Sequence, residues 1–240
     1  MFKILATTLS LFAFIVSANA EKVSFKAADG LEITADLQKP EGSYSTVIVL
    51  FHMAGASRGE YRDIAPVLNK LGYATLAVDQ RSGRAFNGVK NETAARGGGN
   101  VAYAKAIPDL KAASSWVRSN TGARQVGVLG SSYSSALVLA LAGQDRDFAD
   151  AVMSFSPGEY FGDKQYVRKS LSTLEVPVFI TSAKNETGNW KKFLKDIKGT
   201  SVGFVPKGSG RHGATALISK DGDEYWAALK TFLAENLPAK

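Results

Sequence analysis

Hydrophobic and polar residues alternate at the start of the chain, after an initial apolar stretch. Residues 23–25 and 31–37 place apolar side chains at every second position, and Asp29-Gly30 lies between the two runs. A period of two interrupted by a turn signal is typical of two antiparallel strands joined by a tight turn. The pattern therefore predicts an N-terminal hairpin.

Beyond residue 46 the pattern changes to short, continuous apolar runs separated by segments with helical periodicity. Runs of this kind suit strands that are buried on both faces, and they lie at residues 47–51, 74–78, 126–129, 151–155, 178–180 and 202–205. The helical segments cover residues 61–71, 102–119, 132–142, 190–197 and 225–237. Alternation of strands and helices predicts an α/β fold, with a mostly parallel central sheet and helices on both faces.

The first twenty residues have a third pattern. A basic start at Lys3 precedes an uncharged apolar run over residues 4–17, and Ala18-Asn19-Ala20 follows it. This order is typical of a secretory signal peptide. An uncleaved membrane anchor is the alternative, but the run is shorter than the ~20 apolar residues of a spanning helix. We expect cleavage before Glu21, a single domain over residues 21–240, a periplasmic or secreted protein and no stable membrane anchor after cleavage.

The amino-acid composition excludes several kinds of functional site. The chain has 240 residues, a net charge of +7 and no cysteine, which excludes disulfides, thiolate metal sites and a cysteine nucleophile. Its lysines and arginines are dispersed rather than clustered, so nucleic-acid binding is not expected. We expect a small-molecule substrate with no metal or organic cofactor, and the oligomeric state is left open.

The strongest motif lies where the run at 126–129 meets the helical segment that follows it. Gly130-Ser131-Ser132-Tyr133-Ser134 follows the pattern G-x-S-x-G of a nucleophile elbow, in which a serine occupies a sharp strand-to-helix turn between small residues. Gly130 and Ser132 match the pattern, and the small residue Ser134 replaces the final glycine. The alternative is a serine that only caps the helix.

Two histidines are available as partners for Ser132. His212 lies in a glycine-rich loop after the last predicted strand, where the chain order serine, acid, histidine places a general base, and imidazole exchanges protons near neutral pH. His52 follows the run at 47–51, and we expect it to organise its loop. That loop is expected to donate one oxyanion-hole N–H, from Ala54 or, as second choice, Met53, while Tyr133 donates the other.

Several segments together resemble the small α/β hydrolases of the dienelactone-hydrolase-like group. They are residues 50–55 (LFHMAG), 78–83 (VDQRSG), 130–134 (GSSYS), 177–181 (PVFIT) and 210–213 (GRHG). The resemblance extends from residue 46 to the C-terminus. It implies an α/β-hydrolase fold and hydrolysis of an ester or a similar acyl bond through an acyl-enzyme. Dienelactone hydrolases commonly use a cysteine nucleophile, which argues against the eponymous substrate here.

The acid that would orient His212 has three candidates. The resemblance puts the acid after the strand at 178–180, where Asn185 occupies the place of the family's usual aspartate and Glu186 is the next residue. Asparagine carries no charge to stabilise an imidazolium, whereas glutamate does, so Glu186 is preferred. Glu159, after the preceding strand, is the rival carboxylate.

The leading functional hypothesis is an exported serine esterase with Ser132, His212 and Glu186 as its catalytic residues. A peptidase or amidase on the same fold is a second hypothesis, motivated by Glu159 and the charged residues of the long connection 80–100. A non-catalytic binding protein is a third, motivated by Ser134 and Asn185. The long connection is expected either to shape the substrate site or to form a plain surface loop.

Overall fold

A computed structural model describes residues 20–97, 99 and 101–240 of the chain. The signal peptide predicted for residues 1–20 lies almost wholly outside the described residues and remains a prediction. Among the described residues, no helix is both long enough and apolar enough to cross a membrane.

The described residues form a sheet of eight strands in the order β1-β2-β4-β3-β5-β6-β7-β8. The strands are β1 Glu21–Lys26, β2 Glu32–Gln38, β3 Thr46–Phe51, β4 Ala74–Val78, β5 Gln125–Ser131, β6 Ala151–Phe155, β7 Val178–Thr181 and β8 Ser201–Phe204. β2 pairs antiparallel with β1 and β4, and the other pairs are parallel. The predicted hairpin and mostly parallel sheet are confirmed.

The α-helices are α1 Ala65–Lys70, α2 Glu92–Arg96, α3 Ile107–Asn120, α4 Tyr133–Gln144, α5 Arg168–Leu171, α6 Phe193–Asp196 and α7 Gly222–Asn236. Two predicted helices begin later than expected. Pro66 and Pro108 lie in the first turns of α1 and α3, where a missing N–H costs nothing, and 3-10 turns occupy the residues before them. The helix predicted over 190–197 is only the four-residue α6.

Side chains from the two faces of the sheet enter two separate apolar clusters. Val47, Val49 and Phe51 of β3 pack with residues of α3 and α4. Their neighbours Ile48 and Leu50 pack with residues of α1 and α7 on the other side. Because successive residues of a strand point to opposite faces, this division places helices on both faces of the sheet, as predicted.

The parallel strands end at one edge of the sheet, which is where ligand sites of α/β proteins form. At this edge β5 leads into α4, and β3 leads into the connection that begins at His52. The chain segments after β6, β7 and β8 leave from the same side. The predicted site residues all lie in these connections.

Candidate active site

Ser132 occupies the turn between β5 and α4. Its backbone has φ +57° and ψ −120°, a conformation that costs free energy for any residue other than glycine. The turn is held by a hydrogen bond from the Ser132 N–H to the Phe155 carbonyl at 2.8 Å. Gly130 permits the close approach of strand and helix, because a Cβ there would lie 2.5 Å from the Ser134 carbonyl oxygen. The local backbone is that of a nucleophile elbow.

A chain of hydrogen bonds runs from Ser132 to Glu186. The Ser132 Oγ lies 2.8 Å from His212 Nε2, and His212 Nδ1 lies 2.6 Å from Glu186 Oε1. Ser132 is 9% exposed, whereas the His212 side chain is 43% exposed. The fold therefore brings together the three residues that the sequence analysis preferred.

The pKa values of His212 and Glu186 are shifted in directions that favour proton transfer from Ser132. The hydrogen bond that His212 donates to Glu186 raises the pKa of His212 above its ordinary value, although burial opposes the shift. Burial alone would raise the pKa of Glu186, but hydrogen bonds from His212 and Ser156 outweigh it and hold the pKa below its ordinary value. An ionised Glu186 can accept a hydrogen bond from the Nδ1–H group, which leaves Nε2 unprotonated and able to take the proton of the Ser132 hydroxyl.

The two alternative acids lie elsewhere, which corrects both of those hypotheses. The Glu159 carboxylate accepts the backbone N–H groups of Val167 and Arg168, each at 2.9 Å. It therefore holds the turn that enters α5. Asn185 is exposed, whereas Glu186, one residue later in the same 3-10 turn, reaches the imidazole ring.

Ser156 is a site residue that the sequence analysis missed. Its hydroxyl donates to Glu186 Oε2 at 2.7 Å and accepts the Gly213 N–H at 2.9 Å. Its φ of +60° is unusual for serine. Ser156 thereby ties the acid to the loop that carries His212. Its position directly after β6, at the carboxyl edge of the sheet, was the available signal.

The predicted oxyanion donors are only partly retained. Met53, the second choice, is wrong because its N–H donates to the Glu60 carboxylate at 2.7 Å. For Ala54, no acceptor among the described residues pairs with its N–H. Tyr133 is the first residue of α4, and the first N–H groups of a helix lack intrahelical acceptors. The pair Ala54 and Tyr133 remains the predicted oxyanion hole.

His52 is buried and organises the loops around it. Its Nδ1 lies 2.8 Å from the Met53 carbonyl oxygen, and its Nε2 accepts the Gln80 backbone N–H at 3.0 Å. These contacts require a neutral ring with the proton on Nδ1, and burial lowers the pKa of His52 to about 4. The residue joins the loops after β3 and β4, in keeping with the structural role expected for it.

The long connection 80–100 carries α2, which the sequence analysis missed because a five-residue helix leaves little periodicity. Part of the connection also lies against the predicted oxyanion loop. Together they line a cavity of about 500 Å³, formed by Ala54, Gly55, Ser82, Gly83, Arg84 and Tyr103. This position favours the first of the two expectations for the connection, a role in shaping the site.

The fold and the site agree with a sequence match over most of the chain. Residues 33–198 match the family model described as the dienelactone hydrolase family. The chain belongs to the dienelactone hydrolase family. It is accordingly a hydrolase, and the resemblance inferred from its motifs is confirmed.

Solved structures show the same fold. An esterase of Pyrococcus furiosus superposes with a TM-score of 0.71 at 17% identity, covering 92% of this chain and 94% of that one. A dienelactone hydrolase of Anabaena variabilis gives 0.69 at 19% identity, with 91% and 98% covered. A Xanthomonas campestris protein described as an α/β serine hydrolase without a lid gives 0.66 at 16% identity, with 92% and 97% covered. At these identities the likeness supports the α/β-hydrolase fold alone. No curated protein matches the chain significantly.

Proposed function

We propose that this member of the dienelactone hydrolase family is an exported serine hydrolase that cleaves carboxylic esters through an acyl-enzyme on Ser132. The observation that carries the proposal is the hydrogen-bonded chain from Ser132 through His212 to Glu186, at 2.8 and 2.6 Å. These distances lie within the reach that a nucleophile, its base and the orienting acid require.

The proposed reaction has two halves. His212 Nε2 takes the hydroxyl proton while Ser132 Oγ bonds to the ester carbonyl carbon, and the carbonyl oxygen gains the negative charge. The Ala54 and Tyr133 N–H groups stabilise that oxygen, and Glu186 stabilises the imidazolium. The ester C–O bond then breaks as His212 protonates the departing alcohol. Water then attacks the acyl-enzyme through the same two steps, which releases the acid and restores the Ser132 hydroxyl.

A small apolar cavity near the site supports an uncharged acyl or alcohol group. Its volume is about 260 Å³, and it is lined by Ala102, Tyr103, Ala104, Tyr160, Phe161 and Gly162. The Tyr160 hydroxyl donates to the Ser156 carbonyl at 2.7 Å, which connects this cavity to the residue that holds Glu186. Such a volume favours short or single-ring substituents over long acyl chains, because drug-sized ligand pockets begin at about 300 Å³.

The peptidase hypothesis is weakened because two of the charged residues that suggested it, Arg81 and Glu159, are engaged within the molecule. Arg81 is paired with Asp29 and with the fully buried Asp109, and Glu159 binds backbone N–H groups. The binding-protein hypothesis rested on Ser134 and Asn185. It is weakened because Glu186 supplies a carboxylate next to His212.

The decisive experiment compares wild type with Ser132→Ala, and with Ser172→Ala as a control at an exposed serine outside the site. We expect wild type and Ser172→Ala to hydrolyse p-nitrophenyl acetate and to be labelled by a fluorophosphonate, and Ser132→Ala to do neither. Labelling that survives Ser132→Ala, or folded wild type that fails both assays, would refute the serine mechanism. Faster cleavage of the matching p-nitroanilide would refute the ester assignment.

Export is supported by the pattern of the first twenty residues. We expect the protein recovered from the periplasm or medium of an expressing bacterium to begin at Glu21. Protein that stays in the cytoplasm with Met1 retained would contradict export without affecting the proposed chemistry.

A further inference from the structure

Glu60 is a buried carboxylate that the proposed reaction does not use. Its side chain has no solvent exposure, and both oxygens have partners: Oε1 accepts the Ser131 hydroxyl at 2.6 Å and Oε2 accepts the Met53 N–H at 2.7 Å. A buried carboxylate is costly unless it is hydrogen-bonded. A function of Glu60 is therefore expected to offset the cost of burying its carboxylate.

The partners of Glu60 are neighbours of the proposed reacting groups. Met53 precedes Ala54, whose N–H is the predicted oxyanion donor, and Ser131 precedes Ser132. The Ser131 Oγ also accepts the Ala214 N–H at 2.9 Å, which extends the connection to the loop that carries His212. One carboxyl group thus joins the oxyanion loop, the elbow and the histidine loop.

The same carboxylate lies close to His212. Glu60 Oε1 lies near the backbone of Gly213, the residue after His212, because a Cβ placed on Gly213 would be 3.7 Å from that oxygen. The charge of Glu60 helps to raise the pKa of His212. A negative charge in this place favours the imidazolium that forms when Ser132 attacks.

We propose that Glu60 is a positioning residue of this hydrolytic site, which as a carboxylate holds the oxyanion and histidine loops on the elbow and favours the protonated form of His212. The inference rests on the proposed function and adds a second acid to it. Unlike Glu186, this acid touches none of the reacting atoms.

The ionisation of Glu60 bears directly on this role. Burial raises the pKa of Glu60 to about 7, against the hydrogen bonds from Ser131 and Met53 and the charge of His212. The other ionisable groups that interact with it are the hydroxyls of Tyr61 and Tyr133, which are neutral here because burial raises the pKa of both. Because the charges of Glu60 and His212 act on each other's pKa, the titrations of the two groups are coupled.

The experiment is Glu60→Gln, which keeps the size of the side chain and removes its charge. Hydrolysis of p-nitrophenyl acetate is measured across the pH range, together with the rate of fluorophosphonate labelling. We expect kcat to fall at least about tenfold with KM changed less than about twofold. We also expect the acid limb of the plot of kcat against pH to move to lower pH, since the pKa of His212 falls when the charge of Glu60 is lost.

Asp79→Asn is the matched control, because Asp79 is also a fully buried carboxylate but pairs with Arg58 outside the elbow. It should reduce stability and leave the pH dependence of kcat unchanged. An equal shift of the acid limb in Asp79→Asn would show that any lost buried charge has this effect, and would overturn the proposal.

Ser131→Ala provides a second variant that stays informative if Glu60→Gln does not fold. It leaves the carboxyl group but removes the hydrogen bond that lowers its pKa, so Glu60 carries less negative charge at a given pH, and the acid limb should move to lower pH, as in Glu60→Gln but by less. Wild-type kcat and an unchanged limb in either variant would overturn the positioning role. Folded wild type that reacts with no acyl probe would instead refute the proposed function.

Discussion

Replacing Ser134 with alanine or glycine is expected to destabilise the protein, although glycine is the usual residue at this position of the G-x-S-x-G motif. Ser134 is fully buried in the first turn of α4. Its hydroxyl donates to the His52 carbonyl at 2.6 Å and accepts the Gln80 Nε2 at 2.6 Å. The serine therefore connects the elbow to the loops after β3 and β4.

The magnitude follows from these two hydrogen bonds. Each contributes about 1 kcal/mol net, and a buried group left without a partner costs about 1–3 kcal/mol. In the variant, Gln80 Nε2 can still donate a hydrogen bond to the Tyr133 hydroxyl at 3.0 Å. The main cost therefore comes from the His52 carbonyl, which loses its hydrogen bond. We expect Ser134→Ala to lower the free energy of unfolding by about 2–4 kcal/mol. Ser134→Gly should cost a further ~0.5–1 kcal/mol of backbone entropy.

The assays are urea unfolding and thermal unfolding of wild type, both variants and Ser172→Ala, each followed by circular dichroism. At about 2–4 °C per kcal/mol for a chain of this size, the thermal midpoint of Ser134→Ala should fall by about 4–16 °C. The exposed Ser172 should change stability by less than ~0.5 kcal/mol. If Ser134→Gly were as stable as wild type, the hydroxyl would contribute nothing and the serine would be only a small substitute for glycine.

Two further predictions concern carboxylates. Glu186→Gln should lower kcat by about 10³–10⁴-fold and move the acid limb of kcat/KM to lower pH, since His212 loses the hydrogen bond that raises its pKa; pH-rate profiles that kept the wild-type limb would contradict this. The pKa of Glu60 rises from 4.5 to about 7 on folding, so its contribution to stability is complete below pH 4.5 and is lost as the pH rises through about 7. Urea unfolding should show a loss of about 3 kcal/mol across that range, absent in Glu60→Gln, and equal pH dependence in both proteins would refute it.

The architecture was largely predictable because hydrophobic period reports burial directly. A strand buried on both faces is apolar over most of its length, as residues 47–51 and 151–155 are, and in a helix that covers a sheet the apolar residues recur near every fourth position. Helix starts were less predictable. Pro66 and Pro108 are the second residues of α1 and α3, and each helix follows a 3-10 turn, although the apolar pattern includes both turns.

Local backbone chemistry also made Ser132 and His212 recognisable from sequence. The elbow needs a small residue at Gly130, where the strand and the helix approach each other closely. Gly130 lies only two positions before Ser132, so the motif is visible in the sequence. The order of serine and histidine along the chain follows from the order of the strands. Each of the two motifs lies within a short segment, so the sequence by itself determined these two residues, although their contact joins positions 80 residues apart.

Only the tertiary structure decided the carboxylates. Glu186, Glu159 and Asn185 all lie in loops after parallel strands, and the path of a loop depends on contacts with distant segments, such as the hydrogen bond between Ser156 and Glu186. Glu60 precedes an amphipathic helix, where an acidic residue ordinarily faces solvent. It is buried because β5 and the His212 loop cover it. Those segments lie 71 or more positions away along the chain, so the residues near position 60 do not predict the burial.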